Sequence, residues 1–238
     1  EIPIAGIDRN HTRANIKIQD GCDFFCTFCE IPYARGRARS RKFDNILDEV
    51  RSLVEAGHQE IILTGINIGT YQADEKQISD VITSLEKIDG LKRIRISSIE
   101  PTTIPEIIFE KMAAGTKLCR YLHIPLQSGS NTVLSRMQRK YTAEEFTQFI
   151  ENAHNRVPDI CIGTDVIVGF PGEREEDFQK TCGLLRELPI DYFHVFSYSQ
   201  RPMAKSKGMG EVVAPQIISK RSQVLRDLSQ HKRLLFYG

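Results

Sequence analysis

Gly21-Cys22-Asp23-Phe24-Phe25-Cys26-Thr27-Phe28-Cys29 is the stretch around which the chain is organised, and Ile31-Pro32-Tyr33-Ala34-Arg35-Gly36 follows almost at once. Three cysteines fall within eight residues, at spacing C-x3-C-x2-C, on a loop opened by glycine and closed by proline. Thiolates this close converge on a soft centre, a metal ion or an iron–sulfur cluster. A tetrahedral zinc site takes four protein ligands. The nearest histidines, His11 and His58, are too far along the chain to supply the fourth locally. Three ligands suit a 4Fe–4S cluster with one iron left open, with zinc as the alternative.

Working outward, the 238 residues are 40% hydrophobic, enough to bury the core of one full-sized domain. No apolar run is long enough to span a bilayer, and no signal peptide is recognisable. Cys119, Cys161 and Cys182 are scattered singly in apolar or helical contexts and are expected in the core. Such cysteine usage fits a reducing, cytoplasmic setting better than a disulfide framework. The net charge of +1 hides an asymmetry: from Arg201 onward there are eight Lys/Arg against two Asp/Glu. A second basic run, Arg35, Arg37, Arg39, Arg41 and Lys42, follows the cysteine loop directly. Such runs usually mark a solvated surface, but beside the expected reaction centre this one points equally to a polyanionic substrate.

Residues 1–13 are polar and irregular and read as a linker, with the folded domain over 14–238. Strands are expected at Ala14–Gln19, Gln59–Thr64, Arg93–Ser97, Tyr121–Pro125, Ile160–Val168 and Tyr192–Phe196. Helices are expected from an Asp44 cap through Val54, and over Ile78–Ile88, Pro105–Ala114, Asn131–Met137, Thr142–Asn155, Glu173–Leu188 and from Pro215 to about Leu235. Thr142 and Glu145 make a capping box. Six strands alternating with helices predict an α/β fold with a parallel sheet, a partial, open (βα)6 TIM-like barrel. Chemistry in such folds gathers at the C-terminal ends of the strands. The segments there are the cysteine loop, Thr64-Gly65-Ile66-Asn67, Ser97-Ser98-Ile99-Glu100-Pro101, His123-Ile124-Pro125-Leu126-Gln127-Ser128-Gly129-Ser130, and Thr164-Asp165 running on to Gly169-Phe170-Pro171-Gly172-Glu173. Each alone is an ordinary strand-to-helix turn. Five at corresponding ends make a joint signal.

The cysteine loop resembles the signature of the radical S-adenosylmethionine (SAM) superfamily. Lys17-Ile18-Gln19-Asp20-Gly21-Cys22, Ile31-Pro32-Tyr33-Ala34-Arg35-Gly36, Pro125-Leu126-Gln127-Ser128-Gly129-Ser130 and Gly169-Phe170-Pro171-Gly172-Glu173 resemble its methylthiotransferases, over residues 12–235. The resemblance implies a radical SAM barrel whose Cys22, Cys26 and Cys29 hold a 4Fe–4S cluster and serve catalysis. SAM binds the open iron and yields a 5′-deoxyadenosyl radical. Gly65 and Asn67 then correspond to the segment that holds the SAM amino group. Ser98, Glu100, Gln127 and Asp165 are placed among the SAM contacts, and Phe28, Val168 and Phe170 near the adenine. Arg95-Ile96-Ser97-Ser98-Ile99-Glu100 and His194-Val195-Phe196-Ser197-Tyr198-Ser199 look most like the branch that converts N6-threonylcarbamoyladenosine beside the tRNA anticodon to its 2-methylthio derivative.

The resemblance also implies partners: the tRNA anticodon stem-loop, with Arg35, Arg37, Arg39 and Arg41 as RNA contacts, and a reductant such as flavodoxin or ferredoxin. A monomeric enzyme in the cytoplasm, with no membrane partner, is expected. Methylthiotransferases carry a second 4Fe–4S cluster on an N-terminal domain and a C-terminal RNA-binding domain. Neither is expected within these residues, so the chain reads as a catalytic domain able to cleave SAM but not to complete methylthiolation alone. Alternatives are action on isopentenyladenosine of tRNA or on an aspartate of a ribosomal protein. A different class of reading is a non-catalytic, metal-stapled RNA-binding module.

Overall fold

The computed structural model describes residues 12–238, which form two compact units. The linker expected over 1–13 lies outside the described residues except for Thr12 and Arg13, and Arg13 already belongs to the first strand. One unit comprises the described residues up to Asp23, Arg35–Leu122 and Arg156–Ile160; the other comprises Phe24–Ala34, His123–Asn155 and Cys161–Gly238.

The first unit is built on three parallel strands in the order β1 (Arg13–Lys17), β2 (Glu60–Thr64), β3 (Arg93–Ile96). Ile16, Leu63 and Ile96 stand level across them, and all three are buried. The helix Phe43–Glu55 turns Ile46, Leu47, Val50 and Leu53 inward at helical spacing. Asp44 does not cap it. The N-cap is Lys42, without a side-chain cap bond, and Asp44 sits in the first turn, where its charge meets the positive helix end. The helix expected from Pro105 begins at Ile107, after a 3-10 turn at Pro101–Thr103.

Beyond Lys17 the first strand breaks and resumes as Gln19–Asp20, which pairs antiparallel with Arg39–Ser40. This two-residue ladder was not evident from periodicity, because two residues carry no period.

The second unit holds the parallel order β6 (Tyr192–Ser197), β5 (Cys161–Val168), β4, where β4 spans Tyr121–His123 and enters the unit at His123. Thr142 and Glu145 do form the capping box: the Thr142 N–H donates to Glu145 Oε2 at 2.7 Å and the Glu145 N–H to Thr142 Oγ1 at 3.2 Å. The last helix, Pro215–Tyr237, is tied to β6 by Ser229, whose hydroxyl donates to the Phe193 carbonyl and accepts from its N–H. Arg221 of this helix is buried and pairs with buried Glu173 at 2.6 Å.

Of the scattered cysteines, Cys182 is buried, as expected, and burial pushes its thiol pKa up. Cys119 and Cys161 are only half-buried, short of the core position expected of them. Among the described residues, no helix is long and apolar enough to cross a membrane.

Candidate functional site

In the first unit the chain entering the cysteine loop is held very tightly. Gly21 has φ +72°, and a Cβ there would lie 2.1 Å from the Arg37 carbonyl oxygen. Only glycine fits. Cys22 follows, half-buried, its N–H donating to the Gly36 carbonyl at 3.2 Å. Gln19, fully buried, joins this turn to the loop after β2. Its Nε2 donates to the Gly21 carbonyl at 2.8 Å, while its Oε1 accepts from the backbone N–H groups of Ile66 (2.8 Å) and Asn67 (2.9 Å).

Gly65 packs against the same glutamine, with no space for a side chain. Asn67 is buried. Its Oδ1 accepts from the Thr103 hydroxyl at 3.1 Å, and its Nδ2 has no hydrogen-bond partner among the described residues. Most buried polar groups in native proteins have a partner, which singles out this amide. Ser98 and Glu100 are half-buried beyond β3, where the Glu100 carbonyl accepts from the Thr103 hydroxyl at 3.0 Å. Ser97 Oγ is likewise buried without a hydrogen-bond partner among the described residues.

In the second unit the rest of the cysteine loop is clamped at Thr27. Its N–H donates to the Met137 carbonyl at 3.0 Å, its hydroxyl to the Arg136 carbonyl at 2.9 Å, and its own carbonyl accepts from the Ser206 N–H at 2.8 Å. Cys26 is buried, and its Sγ accepts a hydrogen bond from Arg139 Nη1 at 3.2 Å. Cys29 Sγ accepts from the Ile31 N–H at 3.4 Å. Pro32, rather than closing a loop, sits in the first turn of a short helix, Ile31–Arg35, where its missing N–H is harmless.

A cavity of about 500 Å³ opens beside this segment. Of the residues expected to bind a cofactor, Phe28, Gln127 and Asp165 line it together with Cys29. Gln127 holds a left-handed backbone, φ +69°, an unusual state for a non-glycine residue that is retained here by hydrogen bonds to both sides of Val166: its N–H donates to the Asp165 carbonyl and its carbonyl accepts from the Ile167 N–H. Val168 and Phe170 do not reach the cavity. Side chains alternate along a strand, so Asp165 and Ile167 face the cavity while Val166 and Val168 are buried on the other side. Phe170 sits in an apolar cluster with Val133 and Met137, against which Phe28 and Tyr198 pack. Ile167 and Tyr198 are therefore lining residues that motif reading passed over, as are Gln19 and Arg139 in their supporting roles.

The basic run is sorted by the first unit into three environments. Arg39 and Arg35 reach Asp20 at 2.6 and 4.0 Å. Arg37, the most exposed, pairs with Asp23 at 2.5 Å. Arg41 is buried and pairs with buried Glu49, so the structure removes it from the surface contacts expected of the run. At Asp20 burial works to raise the carboxyl pKa, but hydrogen bonds from Lys17 and the Gly21 N–H and the charges of Lys17 and Arg39 outweigh it, holding the group below its ordinary 3.8. A carboxyl lowered by folding adds stability that is fully present above the unfolded value and disappears as pH falls through the folded one. Asp20→Asn is therefore expected to flatten the acid limb of the stability profile below pH 3.8, measured by denaturant titration across pH.

Comparison with known proteins places this geometry. The family model of the radical SAM superfamily matches residues 16–185. The chain is 43% identical over 223 residues to threonylcarbamoyladenosine tRNA methylthiotransferase MtaB of Bacillus subtilis, covering 92% of this chain and 49% of that protein. It is 40% identical over 219 residues to tRNA-2-methylthio-N(6)-dimethylallyladenosine synthase of Carboxydothermus hydrogenoformans, covering 91% and 50% respectively. The chain thus spans about half the length of the curated relatives it matches.

Among solved structures, coproporphyrinogen III oxidase HemN of Escherichia coli, a radical SAM enzyme, matches with TM-score 0.66 at 17% identity, over 92% of this chain and 52% of that one. The methyltransferase TsrM of Kitasatospora setae matches with TM-score 0.69 at 18% identity, over 82% and 38%. At such identity the likeness shows the fold, the α/β radical SAM type with parallel strands expected from the sequence. With the cysteine loop at the end of its first strand and the superfamily's own pattern matched over most of its length, the chain belongs to the radical SAM superfamily.

Proposed function

We propose that this chain is the radical SAM core of a tRNA methylthiotransferase that converts N6-threonylcarbamoyladenosine next to the anticodon to its 2-methylthio derivative. The observation that carries the reading is the cavity of the second unit, where Cys29 of the cysteine loop meets side chains from the ends of β5 and β6 and Gln127 beyond β4. Cys22, Cys26 and Cys29 would hold a 4Fe–4S cluster. Three thiols suit it, and N–H donors already reach the sulfurs of Cys26 and Cys29, the kind of outer contact that tunes such ligands. The open Asn67 Nδ2 suits a polar group of SAM. When bound, the cluster and SAM supply a 5′-deoxyadenosyl radical able to take a hydrogen atom from a substrate carbon.

The remaining work belongs to side chains. Phe28 and Ile167 give the cavity apolar walls that keep water from a reactive centre, and Gln127 and Asp165 add polar groups that orient a bound molecule. Arg139 places a positive charge and a hydrogen bond on Cys26. Both favour the more negative, reduced state of a cluster, so Arg139→Met is expected to move its reduction potential to more negative values in an EPR-monitored redox titration.

Arg35, Arg37 and Arg39 are assigned to the phosphates of the anticodon stem-loop. A flavodoxin or ferredoxin as reductant, a monomeric state, a cytoplasmic setting and a second 4Fe–4S cluster in a further domain of the parent protein complete the reading. The match at 40% identity to a dimethylallyladenosine-directed relative favours a second substrate, isopentenyladenosine, by almost as much as the first.

The test is anaerobic reconstitution with iron and sulfide, reduction with dithionite, and chromatography for 5′-deoxyadenosine. About four irons per chain and formation of deoxyadenosine are expected, both lost in Cys26→Ala. Intact SAM with a zinc ion held by the cysteines and lost in Cys26→Ala would overturn the enzyme reading. The parent protein, supplied with tRNAs carrying either adenosine derivative, then separates the two substrates by which one gains the methylthio group.

A further inference from the structure

The three strands of the second unit carry a row of donors, His123 on β4, Asp165 on β5 and His194 on β6. Asp165 and His194 are direct partners in the β5–β6 register, so their side chains stand on the same face of the sheet. His123 Nε2 lies 2.9 Å from Asp165 Oδ1, and the two imidazole rings are 5.5 Å apart at 33°. One ligand atom from each of the three residues lies within 4.8 Å of the other two.

We propose that His123, Asp165 and His194 form a binding site for one divalent first-row transition-metal ion, separate from the cysteine loop. Two imidazoles and one carboxylate are a borderline donor set that such ions prefer, and three ligands leave coordination positions open. A structural His–Asp pair would need neither the third residue nor its register. The outer contacts also match. The Tyr192 hydroxyl lies 3.4 Å from His123 Nδ1, so that ring nitrogen is turned to the hydroxyl and Nε2 to Asp165, the outer contact that orients a metal-binding imidazole.

His194 is exposed, which gives the ion a path in and the ring freedom to close on it. Asp165 also lines the cavity, so the ion sits at the cavity wall, where its open positions can take an oxygen or nitrogen atom of a bound molecule. None of this depends on the radical SAM reading.

Equilibrium dialysis against zinc, with metal counted by mass spectrometry, tests the site. It is run on two proteins: the cluster-loaded chain under anaerobic conditions, and the chain with Cys22→Ser, Cys26→Ser and Cys29→Ser combined. One zinc per chain is expected in both, because neither has free clustered thiols. His194→Asn, at an exposed position that folding tolerates, is expected to weaken zinc binding at least tenfold, and Tyr192→Phe by about tenfold. Circular dichroism checks that each variant is folded. Absence of zinc from both proteins, or unchanged affinity in folded His194→Asn, would overturn the site. Failure of the cluster to load bears only on the enzyme reading, since the serine variant still reports on the histidines.

Discussion

Gly21→Ala is expected to abolish cluster loading and to destabilise the chain by roughly 2 kcal/mol or more, the sum of a left-handed backbone penalty and a steric clash. The clash is with backbone. A methyl group at Gly21 would stand 2.1 Å from the Arg37 carbonyl oxygen and 2.7 Å from that of Gly36, and neither can swing aside as a side-chain end would. Moving Arg37 or Gly36 also pulls on Cys22, whose N–H is bonded to the Gly36 carbonyl. The disturbance therefore passes directly to one of the three cysteines proposed to hold the cluster.

Gly36→Ala is the control. Gly36 also has positive φ, +80°, but nothing lies within 4 Å of its Cβ position. It should lose only the backbone term, about 1 kcal/mol, and keep its iron. Iron content after anaerobic reconstitution and urea midpoints for the two variants decide the matter. Equal behaviour of the pair would show that the turn has room the geometry denies it.

Arg41→Ala is expected to destabilise by about 3–5 kcal/mol, because it takes the buried guanidinium away from the buried Glu49 carboxylate. Both side chains are almost wholly buried, and the same guanidinium also reaches the carbonyl of Asn45 at 3.2 Å. Replacing both charges, Arg41→Met with Glu49→Leu, should restore most of the loss, since a buried pair contributes little beyond satisfying itself.

Arg37→Ala should do the reverse. It is expected to leave stability within about 0.5 kcal/mol of the parent, to weaken tRNA binding, and to reduce the slope of log affinity against log salt by about 1. Urea unfolding and filter binding over a range of salt measure the two effects separately. If Arg41→Ala unfolded no more easily than Arg37→Ala, the buried pair would have no stabilising role.

These two arginines show where reading a sequence stops. Arg35, Arg37, Arg39 and Arg41 recur at every second residue and look equivalent as letters. Their fates depend on partners supplied by other segments: Asp20 for Arg39, Asp23 for Arg37, Glu49 for Arg41. The same limit applies on β5. Alternation says that Asp165 and Ile167 share a face and that Val166 and Val168 share the other, but nothing in that stretch says which face meets the cavity, because Ile and Val are at home on either. Whether Ile167 or Val168 meets the cavity is a matter of phase, and the tertiary structure decides it by burying Val166 and Val168 and leaving Asp165 and Ile167 on the cavity wall.

By itself the sequence determined what local chemistry and periodicity can encode. The C-x3-C-x2-C spacing makes the thiols neighbours through eight residues of chain, so no distant contact is needed to bring a soft centre to them. Six strands alternating with helices carry their own periods, and the order of their ends follows from chain direction. Tertiary structure alone decided which long-range partners those ends receive. Arg139 reaches Cys26 across 113 residues of sequence, and Gln19 joins Gly21 to Asn67 across a gap of 48 from itself. Such contacts form because a buried polar group must find a partner, and which one it finds is set by the packing of whole strands and helices. That is why Asn67 could be named from its motif, while the lack of a partner for its buried Nδ2 among the described residues appeared only when every neighbour was in place.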